Sequence, residues 1–332
     1  MDNHMISYVD AHVAGEPLRL ITGGILLKGE SLVEKREYMM RHYDYVRAAS
    51  MLEPRGHSDM YGAVLTEPTD PKADLAVIFI DSALYNNMCG HGSIAIGTIA
   101  VELGWVPTVE PVTTVILETP AGLVKLEVEI DEGSPVGTTL HGVPSFLYQE
   151  KISLDLNDKV VLVDLVYGGN FFGMVDIKQL GLSHSVAHLD EYIKLGKQIR
   201  RAINEGLSFS HPEKPYIRTV DDILFVDDPS FKGDTYKSLC FLGDAQIDRS
   251  PCGTGTCARM AALYQWGILK KGEVFHHESI IGTVFEGMIS AETTVGKFSA
   301  ILPTVKANAY IINMGTLLLN NKDPLRAGFS IK

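Results

Sequence analysis

Apolar and polar residues partly alternate along the chain, in a pattern that predicts many strands and few helices. Runs that are rich in β-branched residues and that partly alternate are typical of strands. The strands predicted in this way are Ile6–Asp10, Leu18–Leu20, Ala76–Ile80, Val115–Glu118, Gly122–Ile130, Val160–Tyr167, Leu239–Leu242, Ile280–Phe285 and Ala300–Ile312. A turn is expected at Asp131–Pro135.

Three segments have the features of helices. The segment Gly92–Gly104 consists of small and apolar residues without proline, and Leu189–Glu205 has apolar residues at helical spacing. The third predicted helix is Ala258–Trp266, which follows the second cysteine motif. The first and third each follow a turn that contains a cysteine, so the two halves share one order of strand, turn and helix. We therefore expect an α/β (α+β) protein of two similar lobes.

The expected first lobe spans residues 1–130, joined by 295–332, and the expected second lobe spans 131–294. A chain of 332 residues is long enough for two such cores. We expect the active site in the cleft between the lobes, where ligands often bind.

The composition is that of a soluble globular protein, with 45% hydrophobic and 21% charged residues. A formal net charge of −12 argues against nucleic acid or an anionic membrane as a partner. A small-molecule substrate stays open, because a local site can differ in charge from the whole surface.

Four cysteines in a chain of this length do not suggest a disulfide framework. The first residues show no basic region followed by an apolar stretch, and no apolar run approaches the ~18 residues of a membrane span. We therefore expect a cytoplasmic protein with reduced thiols.

The motif Cys89-Gly90-His91-Gly92-Ser93 is repeated in form as Cys252-Gly253-Thr254-Gly255-Thr256. Each cysteine stands where a helix is expected to begin, so free N–H groups and the helix dipole can stabilise a thiolate. The same N–H groups can bind a carboxylate. Cys240 and Cys257 lack this setting, and we interpret them as small core residues.

Two thiols on opposite sides of one carbon form an acid–base pair that can invert a stereocentre. One sulfur, as a thiolate, removes the proton from one face, and the other, as a thiol, supplies a proton to the opposite face. The helix termini would stabilise the negative charge that develops on the substrate. The motif pair, Cys89 and Cys252, therefore predicts a racemase or epimerase.

Other residues near the motifs have two interpretations each. Asp248, four residues before Cys252, either receives a substrate ammonium group or only caps a turn. His91 either belongs to the site or has a structural role. His57 and Asp59, with His91, are candidate metal ligands, but the chain lacks the tight Cys/His spacing of a zinc site, and we expect no metal.

At these residues the chain resembles the proline racemase family. The matching segments span nearly the whole chain and are Asp10–His12, Ala14–Glu16, Glu53–His57, Met88–Gly92, Thr119–Gly122, Tyr167–Phe172, His211-Pro212, Asp248–Thr256 and Glu278–Thr283. The resemblance implies a diaminopimelate epimerase-like fold, with a curved sheet around a central helix in each lobe. It also implies an enzyme without cofactor or metal that is a homodimer.

The resemblance assigns roles to site residues. The backbone N–H groups of Gly90, His91, Gly253 and Thr254 would bind the substrate carboxylate, and His91 and Asp248 would hold the ring nitrogen. The family contains proline racemases, 4-hydroxyproline 2-epimerases and trans-3-hydroxyproline dehydratases. The dehydratases typically have threonine in place of the second cysteine, so Cys252 argues against that branch.

Two positions bear on the substrate. Tyr61 and Leu242 stand where proline racemases tend to have phenylalanine, and a buried tyrosine hydroxyl would suit a hydroxylated ring. Cys257, where the family usually has serine, has no functional interpretation. We expect proline as substrate, with 4-hydroxyproline as the alternative. Two other classes stay open, a thiol hydrolase with Cys89 as nucleophile and a non-catalytic amino-acid-binding protein.

Overall fold

The computed structural model describes residues 3–156, 159–227, 235–243 and 245–331. Contacts between Cα atoms divide the chain into two compact units, Met1–Leu140 with Asn308–Lys332, and His141–Ala307. From the sequence we expect the domain boundaries at 130/131 and 294/295, and this domain division stays a prediction.

The first unit is built from nine strands and three α-helices among its described residues. The strands are β1 (Asn3–Val13), β2 (Glu16–Gly23), β3 (Tyr61–Thr66), β4 (Leu75–Asp81), β5 (Tyr85–Asn86), β6 (Val112–Thr119), β7 (Gly122–Asp131), β8 (Ser134–His141, ending at the boundary) and β18 (Ala309–Asn320). The helices are α1 (Leu32–His42), α2 (Asp44–Met51) and α3 (Gly90–Glu102).

The sheet of the first unit runs in the order β18-β1-β2-β3-β4-β6-β7-β8. The β2–β3 and β4–β6 pairs are parallel, the others are antiparallel, and β5 pairs with the end of β4. Helix α3 contacts β1, β2, β6, β7 and β18, and its residues from Gly90 to Val101 are all buried. A helix that is apolar on every side forms the centre of such a core.

The second unit has nine strands, two α-helices and two short 3₁₀ turns among its described residues. The strands are β9 (Phe146–Asp155), β10 (Val160–Tyr167), β11 (Phe171–Asp176), β12 (Val220–Val226), β13 (Thr235–Leu242), β14 (Gln246–Ile247), β15 (Val274–Glu278), β16 (Val284–Val295) and β17 (Phe298–Ala307). The helices are α4 (Leu189–Gly206) and α5 (Gly253–Gln265), with 3₁₀ turns at Ile177–Leu180 and Val186–His188.

The sheet of the second unit repeats the topology of the first. Its order is β9-β10-β11-β12-β13-β15-β16-β17, with parallel β11–β12 and β13–β15 pairs at the equivalent places and the short β14 beside the end of β13. Helix α5 contacts β9, β10, β16 and β17 and is buried from Gly253 to Leu263. The expected fold class, with two similar α/β lobes that each surround a central helix, is confirmed.

Several predicted elements differ from the observed ones. The segment Ile280–Phe285 was expected as one strand, but it begins with a turn in which Gly282 has φ +82° and the Ser279 hydroxyl accepts the Thr283 N–H, so β16 begins only at Val284. The run Ala300–Ile312 is two strands, because pairing stops at Asn308. The turn at Asp131–Pro135 is a two-residue hairpin connection.

No helix in the described ranges is both long and apolar enough to cross a membrane.

Candidate active site

Cys89 is the N-cap of α3. Its backbone is extended, with φ −141° and ψ 124°, and its Sγ accepts the Gly92 N–H at 3.3 Å. The Ser93 hydroxyl donates to the Cys89 carbonyl at 2.7 Å. The side chain is therefore held at the start of a buried helix, where N–H groups have no partner within the helix and attract negative charge.

Cys252 is the N-cap of α5 and makes the same set of bonds. Its Sγ accepts the Gly255 N–H at 3.3 Å, and the Thr256 hydroxyl donates to its carbonyl at 2.7 Å. Cys89 and Cys252 are each 7% exposed. The two motifs thus build one local structure twice, once in each unit.

The second glycine of each motif makes room for the sulfur. A Cβ atom at Gly92 would lie 3.2 Å from the Cys89 Sγ and 2.8 Å from a Phe79 ring carbon. A Cβ atom at Gly255 would lie 3.1 Å from the Cys252 Sγ. Only a residue without a side chain lets each sulfur approach the N–H at this position.

The backbone of Cys252 differs from that of Cys89, because Cys252 has φ +68° and ψ 115°. This region is costly for residues other than glycine and is enriched at functional sites. Hydrogen bonds from the preceding loop support it, since the Cys252 N–H donates to the Ser250 hydroxyl at 3.1 Å and the Ser250 N–H donates to Asp248 Oδ1 at 2.8 Å.

Asp248 therefore caps a turn, which is one of the two roles expected from the sequence. Its side chain is 2% exposed, and its charge opposes ionisation of the Cys252 thiol. The other role, contact with a substrate ammonium group, stays a prediction.

His91 lies beside Cys89 in the first turn of α3. Its Nδ1 is 3.2 Å from the Cys89 Sγ, its side chain is buried, and the Tyr61 ring meets the imidazole edge-on with 5.0 Å between ring centroids. Burial lowers the pKa of His91 to about 4, against the opposing effect of a hydrogen bond to the Pro17 backbone. The imidazole is neutral at physiological pH and can exchange a hydrogen bond with the Cys89 thiol or a ligand.

The other predicted residues occupy equivalent places in the two units. Gly90 and His91 begin α3, and Gly253 and Thr254 begin α5, so their N–H groups precede the one that bonds to the sulfur. The Thr254 hydroxyl is 3.7 Å from the Cys252 Sγ. Leu242 is partly buried at the end of β13.

The first unit therefore brings together Cys89, Gly90, His91 and Tyr61, and the second gathers Cys252, Gly253, Thr254 and Asp248.

Cys240 is a neighbour of Cys252 that the sequence analysis assigned to the core. It is 1% exposed, and its Sγ donates to the Phe241 carbonyl at 3.9 Å. The nearby Cys240 side chain lowers the pKa of Cys252, but burial and the charges of Asp248 and Asp222 oppose this effect, and the net shift is upward. The only sequence signal for this effect was that the strand carrying Cys240 leads to the second motif.

Cys257 lies one turn into α5 and packs as a core residue. A Cβ atom at Gly142 would lie 3.0 Å from its Sγ, and the side chain is 1% exposed. Burial, helped by the charge of Cys252, raises the pKa of the Cys257 thiol to about 12. A thiol that does not ionise near neutral pH is unsuited to act as a base.

The residues that the structure describes contain no group of three or more His, Cys, Asp or Glu side chains arranged to hold a metal ion. The Asp59 N–H donates to His57 Nδ1 at 3.2 Å, so this histidine takes part in the structure of its own loop.

Comparison with known proteins gives a consistent result over the whole chain. The family model described as Proline racemase matches residues 8–330. A proline racemase from Acetoanaerobium sticklandii is 44% identical, with 98% of each chain covered. A trans-3-hydroxy-L-proline dehydratase from Burkholderia cenocepacia is 38% identical, also with 98% of each chain covered.

A crystal structure of a hydroxyproline epimerase from Agrobacterium vitis, with bound trans-4-hydroxy-L-proline, matches with a TM-score of 0.91. It is 30% identical and the match covers 100% of this chain and 96% of that one. The repeated α/β fold and relatives named racemase and epimerase identify the protein as an isomerase of amino acids. The chain belongs to the proline racemase family.

Proposed function

We propose that this protein is a cofactor-independent racemase that inverts the α-carbon of proline with Cys89 and Cys252 as its acid–base pair. The observation that carries the proposal is the identical capping geometry of the two sulfurs, each 3.3 Å from an N–H at the start of a buried helix. A purely structural cysteine gains nothing from such a position, whereas a base that cycles between thiol and thiolate does.

In this mechanism one sulfur is a thiolate and the other a thiol when substrate binds. The thiolate removes the α-proton, the electron pair of the C–H bond moves into the carboxylate, and the thiol donates its proton to the opposite face. The two sulfurs have then exchanged protonation states, and the reverse reaction uses the same residues in exchanged roles. Each position therefore needs a group that can be both acid and base.

The start of each helix supplies the remaining requirements. The N–H groups of Gly90, His91, Gly253 and Thr254 would bind the carboxylate and stabilise the charge that it gains during proton removal. The neutral His91 and the carboxylate of Asp248 would accept hydrogen bonds from the ring nitrogen. No cofactor enters this scheme.

The choice of proline rests on the proline racemase that is 44% identical to this chain. The alternative is 4-hydroxyproline, because Tyr61 carries a hydroxyl at a buried position against His91. We also expect a homodimer, from the family, and a cytoplasmic protein with reduced thiols, from the cysteine usage.

The two-thiol mechanism is tested by Cys89→Ser and Cys252→Ser, with Cys257→Ser as the matched control. Each of the first two variants should lose racemisation almost completely, because an alcohol is far less acidic than a thiol and cannot serve as the resting base. The control should keep most of its activity, since the Cys257 thiol does not ionise in the working range. Activity is measured by polarimetry with L-proline and D-proline.

More than a few per cent of wild-type turnover in either of the first two variants would exclude the mechanism. Formation of a covalent acyl-enzyme at Cys89 with an ester substrate would indicate a thiol hydrolase. Binding of one proline enantiomer without turnover would indicate an amino-acid-binding protein.

The choice between substrates is tested with Tyr61→Phe. If the hydroxyl bonds to a ring hydroxyl, the variant should lose kcat/KM for 4-hydroxyproline and keep it for proline, because sites built to pair a hydroxyl discriminate strongly. If Tyr61 is only an apolar wall, both values should change little and proline should be the better wild-type substrate, as we expect. Wild-type turnover of 4-hydroxyproline without turnover of proline would contradict that choice and leave the two-thiol mechanism intact.

A further inference from the structure

A buried histidine in the second unit contacts the hydroxyl that holds the Cys252 carbonyl. His277 lies on β15 and is fully buried, and its Nδ1 is 2.8 Å from the Thr256 hydroxyl oxygen. That hydroxyl donates to the Cys252 carbonyl at 2.7 Å, and the Thr256 N–H donates to the same carbonyl at 2.8 Å. The two-thiol mechanism by itself assigns no role to His277.

The direction of the bond between His277 and Thr256 follows from the available protons. A hydroxyl has one proton and a carbonyl only accepts, so the Thr256 proton lies on the bond to Cys252. Toward His277 the hydroxyl oxygen is an acceptor, and Nδ1 must therefore carry a proton. Burial and the charge of Arg259 lower the pKa of His277 well below its usual range, so the ring is neutral. Nε2, which has no partner among the described residues, then has no proton to donate.

The carbonyl at the end of this chain of hydrogen bonds belongs to the same peptide group as the Gly253 N–H. The peptide between Cys252 and Gly253 is trans, so its carbonyl and its N–H point in opposite directions. Donors that hold the Cys252 carbonyl therefore also fix the direction of the Gly253 N–H. Hydrogen bonds in a chain polarise one another, so the same donors make this N–H a stronger partner for an anion.

The first unit has no histidine at the equivalent place. Ser93 donates to the Cys89 carbonyl at 2.7 Å, as in the second unit. Strand β6 takes the place of β15, and Leu117 stands where His277 does, one residue before a glutamate near the end of each strand. Leu117 is buried and offers no donor. The additional donor is thus confined to the unit in which the cap residue, Cys252, has φ +68°.

We propose that His277 is a positioning residue that donates through Thr256 to the Cys252 carbonyl and so directs and polarises the Gly253 N–H for the substrate carboxylate. The proposal rests on the proposed racemase function, because only a bound anion makes use of that N–H. The carboxylate gains negative charge as the α-proton leaves, so a weaker N–H should lower kcat more than it raises KM.

The first test compares His277→Leu, which removes the donor, with His277→Asn, whose amide nitrogen can take the place of Nδ1. We expect kcat for proline, measured by polarimetry, to fall about tenfold in His277→Leu, the scale of one lost hydrogen bond. His277→Asn should recover most of that loss. Phe275→Leu is the matched control, because Phe275 is a buried ring on the same strand that packs against His277 and cannot form a hydrogen bond to Thr256. The control should keep the wild-type kcat.

A double-mutant cycle tests whether His277 acts through Thr256. Thr256→Val removes the hydroxyl and keeps the shape of the side chain. If the two residues form one chain of bonds, His277→Leu should lower kcat hardly further in the Thr256→Val background, because residues in one hydrogen-bond network are not additive. Losses that multiply would show that His277 acts by another route and would overturn the proposal.

The tautomer of His277 is measured without turnover, by NMR of protein labelled with ¹⁵N-histidine. The ring signals that disappear in His277→Asn should show a protonated Nδ1 and an unprotonated Nε2. The opposite tautomer would overturn the proposal.

The kinetic variants give two further outcomes against it. A wild-type kcat in His277→Leu would overturn the proposal, and so would equal losses in His277→Leu, His277→Asn and Phe275→Leu, which would indicate a general packing defect. Full activity of Cys252→Ser would instead reject the proposed two-thiol function, and the NMR signals would still report on the bond between His277 and Thr256.

Discussion

At the scale of single residues, the two cap cysteines reach one geometry from different backbone conformations. Cys89 is extended, whereas Cys252 has φ +68°, yet each sulfur is 3.3 Å from the N–H three residues later. A sulfur in the place of the usual serine or aspartate oxygen caps a helix weakly when it is a thiol. As a thiolate it accepts a stronger, charge-assisted bond, so the helix terminus favours the form that the proposed mechanism needs.

His91 gives a prediction for the pH dependence of stability. Its pKa is about 4 in the folded protein, below the 6.5 expected when unfolded, so its contribution to stability is complete above 6.5 and is lost as the pH falls toward 4. Between pH 7 and 5 this amounts to about 2 kcal/mol. His91→Gln should therefore reduce the loss of the free energy of unfolding on acidification, measured by urea titration at both pH values.

Exposed His42 on α1 provides the control for this measurement. His42→Gln should show the wild-type decline between pH 7 and 5. The buried His277 and His211 also have lowered pKa values, so some decline should persist in His91→Gln. An identical decline in His91→Gln and the wild type would show that His91 is not held neutral by the fold.

Contacts of single residues could be predicted from the sequence where both residues belong to the same motif. Contacts between residues that are far apart in the sequence could not. The capping position of Cys89 followed from the Cys-Gly pattern before an apolar run. The effect of Cys240 on the pKa of Cys252 did not, because it depends on how closely β13 approaches the start of α5. The interpretation of Cys240 as a core residue was correct for its burial, at 1% exposure, and did not include its effect on Cys252.

At the scale of elements, both central helices begin directly after their cysteines, at Gly90 and Gly253. The sequence predicted later starts, at Gly92 and Ala258, because glycine and threonine are poor helix formers. Burial and the cap bonds compensate for that low propensity. In contrast, the boundaries of β10 were predicted correctly, since a β-branched run with turn residues on both sides leaves little ambiguity.

The helix starts yield a prediction for Gly255→Ala. Alanine raises helix propensity, but its Cβ would lie 3.1 Å from the Cys252 Sγ and 3.2 Å from Leu224 Cδ1. Because the sulfur must move away from the N–H, we expect kcat/KM to fall about tenfold or more, the scale of one lost charge-assisted bond. The melting temperature should change little.

Gly206→Ala at the end of α4 is the matched control, because no atom lies within 4 Å of its added Cβ. This control should keep wild-type kcat/KM, measured by polarimetry alongside Gly255→Ala. Wild-type activity in Gly255→Ala would show that the position of the sulfur over the N–H is not required for catalysis.

At the scale of the whole molecule, one topology is used twice, and each unit carries one thiol-capped helix in its core. The repeat was predictable from the order of strand, cysteine turn and helix in each half. The paired sheet orders were not, because parallel pairs such as β2–β3 join strands that are far apart in the sequence. The proposed mechanism requires two sulfurs, and each unit carries one of them.

That requirement gives the last prediction. Pyrrole-2-carboxylate is planar at the carbon that corresponds to the flattened α-carbon of the transition state, and transition-state mimics bind more tightly than substrates. If both sulfurs face one ligand, it should slow the alkylation of Cys89 and Cys252 together and raise the melting temperature through binding to the folded state. Pyrrole without the carboxylate should do neither, because the helix starts would have no anion to bind. Protection of Cys89 without Cys252, or the reverse, would mean that the two thiols serve separate sites and would leave no route for a proton to opposite faces of one carbon.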